Sequence, residues 1–254
     1  MTKAAYALLN ARKSGGLVPP EALGRVTDLD SAYAVQREQL ALSGEAVAGW
    51  KIGATSAAAQ KVLDLDGAVF GPIAEGTIHA SGTIVTLHPQ HGNFLESEFA
   101  IRLAQDLPPR DTPYTRAEIK AAVASVHASF ELVGCRLASG IAGSGHLVPA
   151  DFGVNGGAVL GTEIAPDHWD SLDQITVTQT IDGTSVEGLG SQTGWAHVFD
   201  AVAWLAGQGA LMARPLQAGD IVMTGTCTGV LPIKSGQTLH ADFGGLAEVA
   251  VTLA

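Results

Sequence analysis

The chain has 254 residues, of which 46% are hydrophobic and 15% charged, with a formal net charge of −11 at pH 7. This composition is typical of an ordered globular protein, and such an acidic chain lacks the basic surface that nucleic-acid binding requires. An acidic small-molecule substrate would need a local cation here. Two cysteines without metal-binding spacing, no signal-peptide pattern and no long apolar run predict a reduced, soluble, cytoplasmic protein.

The N-terminal part of the chain is predicted to be helical. Apolar residues at helical spacing predict one helix over residues 3–14. Asp28 or Asp30 can cap a second helix, which also carries an apolar stripe. We therefore expect residues 1–46 to form a helical region packed on the body or on a neighbouring subunit, and residues 47–254 to form a β-rich catalytic domain.

After residue 46 the pattern changes to short apolar runs punctuated by glycine, which predicts strands. The first strand covers residues 47–53 and carries Lys51 between apolar neighbours, and Ser56 can cap a helix over residues 56–64. A lysine in this position can extend to solvent. Alternatively, its ammonium group is held near a site, where it binds a substrate carboxylate or enolate or transfers a proton.

Residues 93–103 alternate in a way that places Glu96 and Glu98 on one face of a strand. Two neighbouring carboxylates repel each other, so the pair lies either on a solvated edge or around a divalent cation such as Mg²⁺ or Mn²⁺. His88 and His91, just before this strand, also have spacing that could serve a metal.

A third acidic residue lies in the next predicted strand. Thr115 and Glu118 form a capping-box pattern that predicts a helix over residues 115–128. Glu131 follows in an apolar strand over residues 129–137, where a buried carboxylate needs a partner. A cation shared with the two earlier glutamates would supply one.

The remaining chain is predicted to be mostly β. Residues 138–150 are glycine-rich and are followed by further glycines in residues 151–157, but these lack the spacing of a phosphate-binding loop. Asp182 and Gly183 predict the turn of a hairpin, residues 194–207 a core helix, and residues 216–229 a strand followed by a polar glycine loop.

Several segments, spread over nearly the whole chain, match one known family in order and spacing. They are Asp30-Ser31-Ala32-Tyr33-Ala34-Val35-Gln36, Gly49-Trp50-Lys51-Ile52-Gly53-Ala54-Thr55-Ser56, Glu96-Ser97-Glu98, Phe130-Glu131-Leu132-Val133, Ala203-Trp204-Leu205-Ala206 and Ala218-Gly219-Asp220-Ile221-Val222-Met223-Thr224-Gly225. This ordered set resembles the 2-oxopent-4-enoate hydratase and 4-oxalocrotonate decarboxylase family, within the fumarylacetoacetate hydrolase superfamily.

The resemblance implies a fold, a cofactor and an assembly. The fold is α+β and mainly β, a fumarylacetoacetase C-terminal-like mixed β-roll with N-terminal helices. The cofactor is one Mg²⁺ or Mn²⁺ ion, with Glu96, Glu98 and Glu131 as its ligands. The assembly is a homo-oligomer, with association with a related hydratase or decarboxylase as a further option.

The resemblance also implies site residues. Lys51 and Asp151 align with catalytic positions of the family. We further expect substrate contacts from Thr55, Ser56, Asn155 and Thr226.

The chain departs from the family pattern at two places. Many members carry an aspartate where this chain has Val69, which leaves the charge partner of Lys51 open. Small hydroxyl residues of the family are replaced here by Val154 and Asn155, so a serine role does not carry over.

The implied activity is metal-dependent addition of water to a 2-hydroxy-2,4-dienoate, or 2-oxo-4-enoate, giving a 4-hydroxy-2-oxo acid in aromatic catabolism. Three alternatives remain open. They are a 4-oxalocrotonate-type decarboxylase, an acylpyruvate carbon–carbon hydrolase with His91 as the nearest candidate base, and a non-catalytic partner subunit.

Overall fold

The structure, a computed structural model, describes residues 2–254. The helices are α1 (Lys3–Ser14), α2 (Leu29–Ser43), α3 (Ala57–Leu63), α4 (Arg116–Ala121), α5 (Leu147–Ala150) and α6 (Val198–Ala206). The strands are β1 (Val47–Gly53), β2 (Val69–Ala74), β3 (Ile78–Ala80), β4 (Ile84–Val85), β5 (Gly92–Leu103), β6 (Val123–Cys135), β7 (Asn155–Ile164), β8 (Thr176–Ile181), β9 (Thr184–Leu189), β10 (Ile221–Thr226), β11 (Leu231–Pro232), β12 (Thr238–Phe243) and β13 (Glu248–Leu253).

These strands form two mixed sheets within the described residues. The larger sheet has the order β2-β1-β10-β5-β6-β7-β3, with β11 paired to β5, and the smaller has the order β4-β13-β12-β8-β9. In the larger sheet β1 pairs with β10, and β3 with β7, in parallel, while the other pairs are antiparallel. The predicted α+β fold with a mixed, mainly β architecture and N-terminal helices is confirmed.

The main core lies between the two sheets and determines which face of β5 carries the acidic residues. Phe99 of β5 packs edge-on against Phe243 of β12, with ring centroids 5.3 Å apart, and α6 adds its apolar face to the same core. Successive side chains of a strand alternate between faces. Glu96 and Glu98 therefore point to the opposite face of the larger sheet.

The two predicted N-terminal helices are confirmed, and Asp28 is the cap of α2. Buried glutamines of α2 attach it to the body: Gln36 Nε2 donates to Pro149 O at 2.7 Å, and Gln39 Nε2 donates to Ala150 O at 2.6 Å. The division at residue 46 stays a prediction. Within residues 2–254, no helix combines the length and apolar character needed to cross a bilayer.

The helix predicted over residues 115–128 is wrong in its second half. The capping box of Thr115 and Glu118 forms as predicted, but α4 ends at Ala121 and β6 begins at Val123. Pairing with β5 along its length extends β6 back to this point and overrides the local helical signal. The helix predicted from residue 194 likewise begins only at Val198, where the His197 side chain caps α6.

Candidate active site

Three glutamates come together on neighbouring strands of the larger sheet. Glu96 of β5 lies directly opposite Glu131 of β6, and Glu98 follows on the same face of β5. One carboxylate oxygen from each lies within 4.8 Å of the other two. Glu98 and Glu131 are 0% exposed and Glu96 is 9% exposed. The sheet register thus gathers three buried acidic groups at one place.

This burial is costly for negative charge. Burial, reinforced by the nearby Glu131 carboxylate, raises the pKa of Glu96 to about 8 and raises the pKa of Glu98 well above its usual value. One oxygen of Glu98, Oε2, accepts a hydrogen bond from the Gly225 N–H at 2.9 Å. Its other oxygen, Oε1, is buried and has no hydrogen-bond partner among residues 2–254.

The donor set fits a hard divalent cation. Mg²⁺ and Mn²⁺ take carboxylate oxygens as ligands, and a cation shared by three buried carboxylates offsets their mutual repulsion. The unpartnered Oε1 atom of Glu98 is the kind of buried acceptor that such an ion would satisfy. Glu96, Glu98 and Glu131 are thus suited to hold the metal that the sequence suggested.

Lys51 of β1 is the cation next to this cluster. Its Nζ lies 3.1 Å from Glu131 Oε2 and donates a hydrogen bond to Gly153 O at 3.0 Å. Burial alone would lower the pKa of the Lys51 ammonium, but the three surrounding carboxylates outweigh burial and raise that pKa. The charge partner that Val69 left open is therefore Glu131, while Val69 itself is a buried apolar residue.

The turn before β7 approaches the same cluster. Asn155 Nδ2 donates to Glu131 Oε1 at 3.1 Å, so the amide contacts a candidate metal ligand. Phe152, Gly153 and Val154 all have φ between 56° and 61°, the left-handed region that residues other than glycine rarely adopt. The turn packs closely against β2, since a Cβ atom at Gly71 would lie only 1.9 Å from Phe152 O.

Asp151, at the start of this turn, is fully buried in an ion pair with Arg136. Its Oδ1 accepts from Arg136 Nε at 2.7 Å and its Oδ2 from the Arg136 backbone N–H at 3.0 Å. Both oxygens are thus engaged by Arg136, which gives Asp151 a supporting position, and its catalytic role stays a prediction. Sequence reasoning missed Arg136, although an arginine at the end of an apolar strand was a usable signal.

The other predicted substrate contacts differ in their neighbours and hydrogen bonds. A Cβ atom at Gly225 would lie 2.8 Å from Thr55 Oγ1, so the Thr55 hydroxyl lies beside the amide that binds Glu98. Ser56 Oγ accepts from the Ala59 N–H as the cap of α3. Thr226 Oγ1 donates to Gly229 O at 3.0 Å. Local hydrogen bonds therefore occupy Ser56 and Thr226, although Thr226 lies directly opposite Glu98 in the pairing of β10 with β5.

The two histidines lie apart from this cluster. His91 Nε2 is 3.1 Å from Gly16 O, and burial, followed by the nearby charge of Arg136, lowers the pKa of His91 to about 4. The His88 ring is 5.0 Å from the His91 ring. The group of candidate metal ligands found in residues 2–254 consists of the three glutamates and includes neither histidine.

Solved structures share the overall architecture. The 4-oxalocrotonate decarboxylase from Pseudomonas putida G7, complexed with magnesium and adipate, superposes with a TM-score of 0.86 over 99% of this chain and 96% of that chain, at 21% identity. Fumarylpyruvate hydrolase from Pseudomonas aeruginosa, complexed with Mn²⁺ and pyruvate, gives a TM-score of 0.59 over 81% of this chain and 88% of that chain, at 16% identity. At these identities the likeness shows the fold.

Sequence comparisons identify the family. The chain is 32% identical to 2-keto-4-pentenoate hydratase 1 of Dechloromonas aromatica (strain RCB), over 100% of this chain and 97% of that protein. It is 29% identical to the TodF product hydratase of Pseudomonas putida (strain F1), over 99% of this chain and 94% of that protein. The model of the fumarylacetoacetate (FAA) hydrolase C-terminal family matches residues 57–254. The chain therefore belongs to the fumarylacetoacetate hydrolase C-terminal family.

Proposed function

We propose that this protein is a lyase that uses a divalent metal to add water to a 2-hydroxy-2,4-dienoate, giving a 4-hydroxy-2-oxo acid. The observation that carries the proposal is the buried cluster of Glu96, Glu98 and Glu131 beside Lys51. Relatives that match nearly the full chain are named 2-keto-4-pentenoate hydratase, which supports hydration as the reaction.

The three glutamates would hold Mg²⁺ or Mn²⁺, and structural neighbours contain Mg²⁺, Ca²⁺ or Mn²⁺. The bound ion would act as a Lewis acid toward the C1 carboxylate and C2 oxygen of the substrate. A chain of net charge −11 needs a local positive charge to bind an acidic substrate, and the ion would supply that charge. In this arrangement the protein residues bind and orient the substrate and move its protons.

Lys51 is the group that we assign to proton transfer. Hydration requires the C2 hydroxyl proton of the dienol to leave and a proton to join C5, which gives a conjugated 2-oxo-3-enoate. Water then adds its hydroxyl to C4 and a proton to C3. Glu131 Oε2 and Gly153 O contact the Lys51 ammonium group, and these two contacts hold the group in one position for proton transfer. Of the predicted substrate contacts, Asn155 contacts Glu131 and Thr226 lies opposite Glu98 in the sheet.

Two features favour hydration over the alternatives. The candidate base of a carbon–carbon hydrolase, His91, contacts Gly16 O and lies outside the carboxylate cluster. The decarboxylase likeness rests on the fold at 21% identity, whereas the relatives at 29% to 32% identity over the chain are hydratases. A homo-oligomeric state, association with a partner enzyme and a cytoplasmic location stay predictions.

A substrate panel tests the proposal. The purified protein is stripped with a chelator and assayed with added Mg²⁺ or Mn²⁺ by the loss of 2-hydroxypenta-2,4-dienoate absorbance. We expect metal-dependent loss with formation of the 4-hydroxy-2-oxo acid. Release of CO₂ from 4-oxalocrotonate as the main activity would favour decarboxylation, and release of pyruvate with a second acid would favour the hydrolase. No metal-dependent consumption of any dienoate would refute the hydratase.

A further inference from the structure

One short segment, residues 151–155, contacts both partners of the Lys51–Glu131 ion pair. The Gly153 carbonyl accepts a hydrogen bond from Lys51 Nζ at 3.0 Å. The Asn155 amide donates to Glu131 Oε1 at 3.1 Å. The position of this segment therefore sets the positions of the ammonium group and of one candidate metal ligand.

Two residues of this segment, Phe152 and Val154, have backbone angles that are unfavourable for their residue types. Phe152 and Val154 have a φ of 56°, and Gly153 between them has a φ of 61°. Left-handed backbone is unfavourable for an aromatic residue and still more for a β-branched one. Such a conformation persists only when surrounding contacts hold it.

Arg136 holds the two ends of the segment. Its Nε and backbone N–H bind the Asp151 carboxylate, its Nη2 donates to Asp151 O at 2.7 Å, and its Nη1 donates to Asn155 O at 2.9 Å. These contacts leave the Phe152 side chain, next to Asp151, to be held by another group.

Arg12 of α1 is the second group that holds this segment. Its guanidinium carbon lies 4.4 Å from the centroid of the Phe152 ring, and its Nη1 donates to Asn155 O at 2.9 Å. Its Nη2 is 3.8 Å from Asp151 Oδ1. The Nε and Nη2 atoms of Arg12 are buried without a hydrogen-bond partner in the described chain. The guanidinium therefore keeps its contacts with this segment, although two of its nitrogen atoms lose the hydrogen bonds that solvent would provide.

We propose that Arg12 is a positioning residue of the candidate active site. Through Phe152 and Asn155 it holds the segment whose Gly153 carbonyl and Asn155 amide orient Lys51 and Glu131. The N-terminal helix α1 thereby contributes to the site as well as to packing. The kinetic part of this inference rests on the proposed hydratase function, whereas the metal-binding part does not.

The test compares Arg12→Met with Lys13→Met, which removes the same charge from an exposed neighbour on the same helix. Mn²⁺ binding to the metal-free protein is measured from the electron paramagnetic resonance signal of free Mn²⁺. Hydrogen-bond partners of metal ligands are typically worth about 10-fold or more in affinity, so we expect Arg12→Met to weaken Mn²⁺ binding by about 10-fold. Lys13→Met should bind Mn²⁺ like the wild type.

The kinetic arm measures kcat and KM on 2-hydroxypenta-2,4-dienoate. A displaced Lys51 slows the proton transfer more than it weakens substrate binding, so we expect kcat to fall by about 10-fold or more with a smaller change in KM. Arg12→Lys keeps the cation over Phe152 but loses the planar fork, and it should restore part of both losses.

The outcomes separate positioning from simple packing. If Arg12→Met matches Lys13→Met in kcat and in Mn²⁺ affinity, or lowers only the melting temperature, the inference is overturned. If Arg12→Met does not fold, Arg12→Lys and Phe152→Leu decide in its place, and unchanged Mn²⁺ affinity in both refutes it. If the wild type hydrates no dienoate, the proposed function fails and the Mn²⁺ arm still decides the role of Arg12.

Discussion

Lys51 Nζ lies 3.1 Å from Glu131 Oε2, with the lysine side chain only 4% exposed and the glutamate side chain fully buried. A buried ion pair is stable only when its charges are well compensated. Here the pair is adjacent to two further buried carboxylates, Glu96 and Glu98, so one ammonium faces three acidic groups. The excess negative charge is what one divalent cation would neutralise, and the predictions below depend on this imbalance.

Glu98→Gln should abolish metal binding while the fold persists. The substitution removes a charged ligand but keeps the size of the side chain and its contact with the Gly225 N–H. We expect Mn²⁺ affinity to fall by more than about 100-fold, beyond the range found for hydrogen-bond partners of ligands. The metal-free variant should melt at the wild-type temperature or above it, because it no longer buries a carboxyl group whose charged form is disfavoured, as the raised pKa of Glu98 indicates.

The matched control for this variant is Glu187→Gln, which removes an exposed carboxylate from β9. It should leave Mn²⁺ affinity and metal-dependent activity unchanged. Full activity and tight Mn²⁺ binding in Glu98→Gln would show that the three-glutamate cluster does not hold the metal.

The stability of the metal-free protein should decrease as the pH rises from about 6.5 to about 8, above the range in which the lowered pKa of His91 gives the opposite slope. Burial raises the pKa of Glu96 from 4.5 to about 8, so in this window the folded protein retains a proton that the unfolded chain has lost. Stability falls with pH wherever the unfolded state binds fewer protons. Melting curves of chelator-treated protein should show this slope, and saturating Mg²⁺ should raise the melting temperature most at the alkaline end.

Glu96→Gln is the control for this pH dependence. It cannot lose a proton in the window, so its melting temperature should depend less on pH than that of the wild type. A wild-type melting temperature that is constant or rises between these pH values would contradict the assignment of Glu96 as a carboxylate with a raised pKa.

Lys51→Met should remove activity without removing the metal. General acid–base groups contribute about 10²- to 10⁴-fold to the rate, so we expect kcat for the dienoate to fall by at least about 100-fold. Mn²⁺ affinity should stay the same or increase, because the cation that competes for Glu131 is gone. The control is Lys61→Met on the exposed face of α3. Loss of Mn²⁺ binding with Lys51→Met would instead make the lysine a structural part of the metal site.

Local patterns predicted the parts of the site that depend on one strand. Alternation along residues 93–103 placed Glu96 and Glu98 on one face, and the structure agrees. The pairing with Glu131 depends on the register between β5 and β6, which is set by long-range contacts. Residue chemistry therefore suggested only that a buried Glu131 needs a cation, and the family resemblance implied the full set of three ligands.

The contacts around residues 151–155 had no local signal. Arg12 and Asn155 are 143 residues apart in sequence, and no spacing rule connects them. The left-handed turn between them contains Phe152 and Val154, residues that sequence rules exclude from that conformation. The error at residues 115–128 has the same origin, since pairing with β5 outweighs a correct capping signal.

Gly71→Ala should disturb the site through the turn that holds Lys51. A Cβ atom at position 71 would lie 1.9 Å from Phe152 O and 2.7 Å from Gly153 N, both of them backbone atoms that cannot turn aside. The turn must shift, and the Gly153 carbonyl that accepts from Lys51 shifts with it. We expect a stability loss of about 1–3 kcal/mol, typical of overpacking, together with a lower kcat.

Gly76→Ala is the matched control, because a Cβ atom there meets no heavy atom within 4 Å and the backbone does not have a positive φ. It should leave both the melting temperature and kcat close to those of the wild type. Chemical denaturation measures the stability change, and kcat per folded molecule separates it from the effect on the site. If Gly71→Ala loses stability but keeps wild-type kcat, the turn at residues 152–154 supports the fold and does not position Lys51.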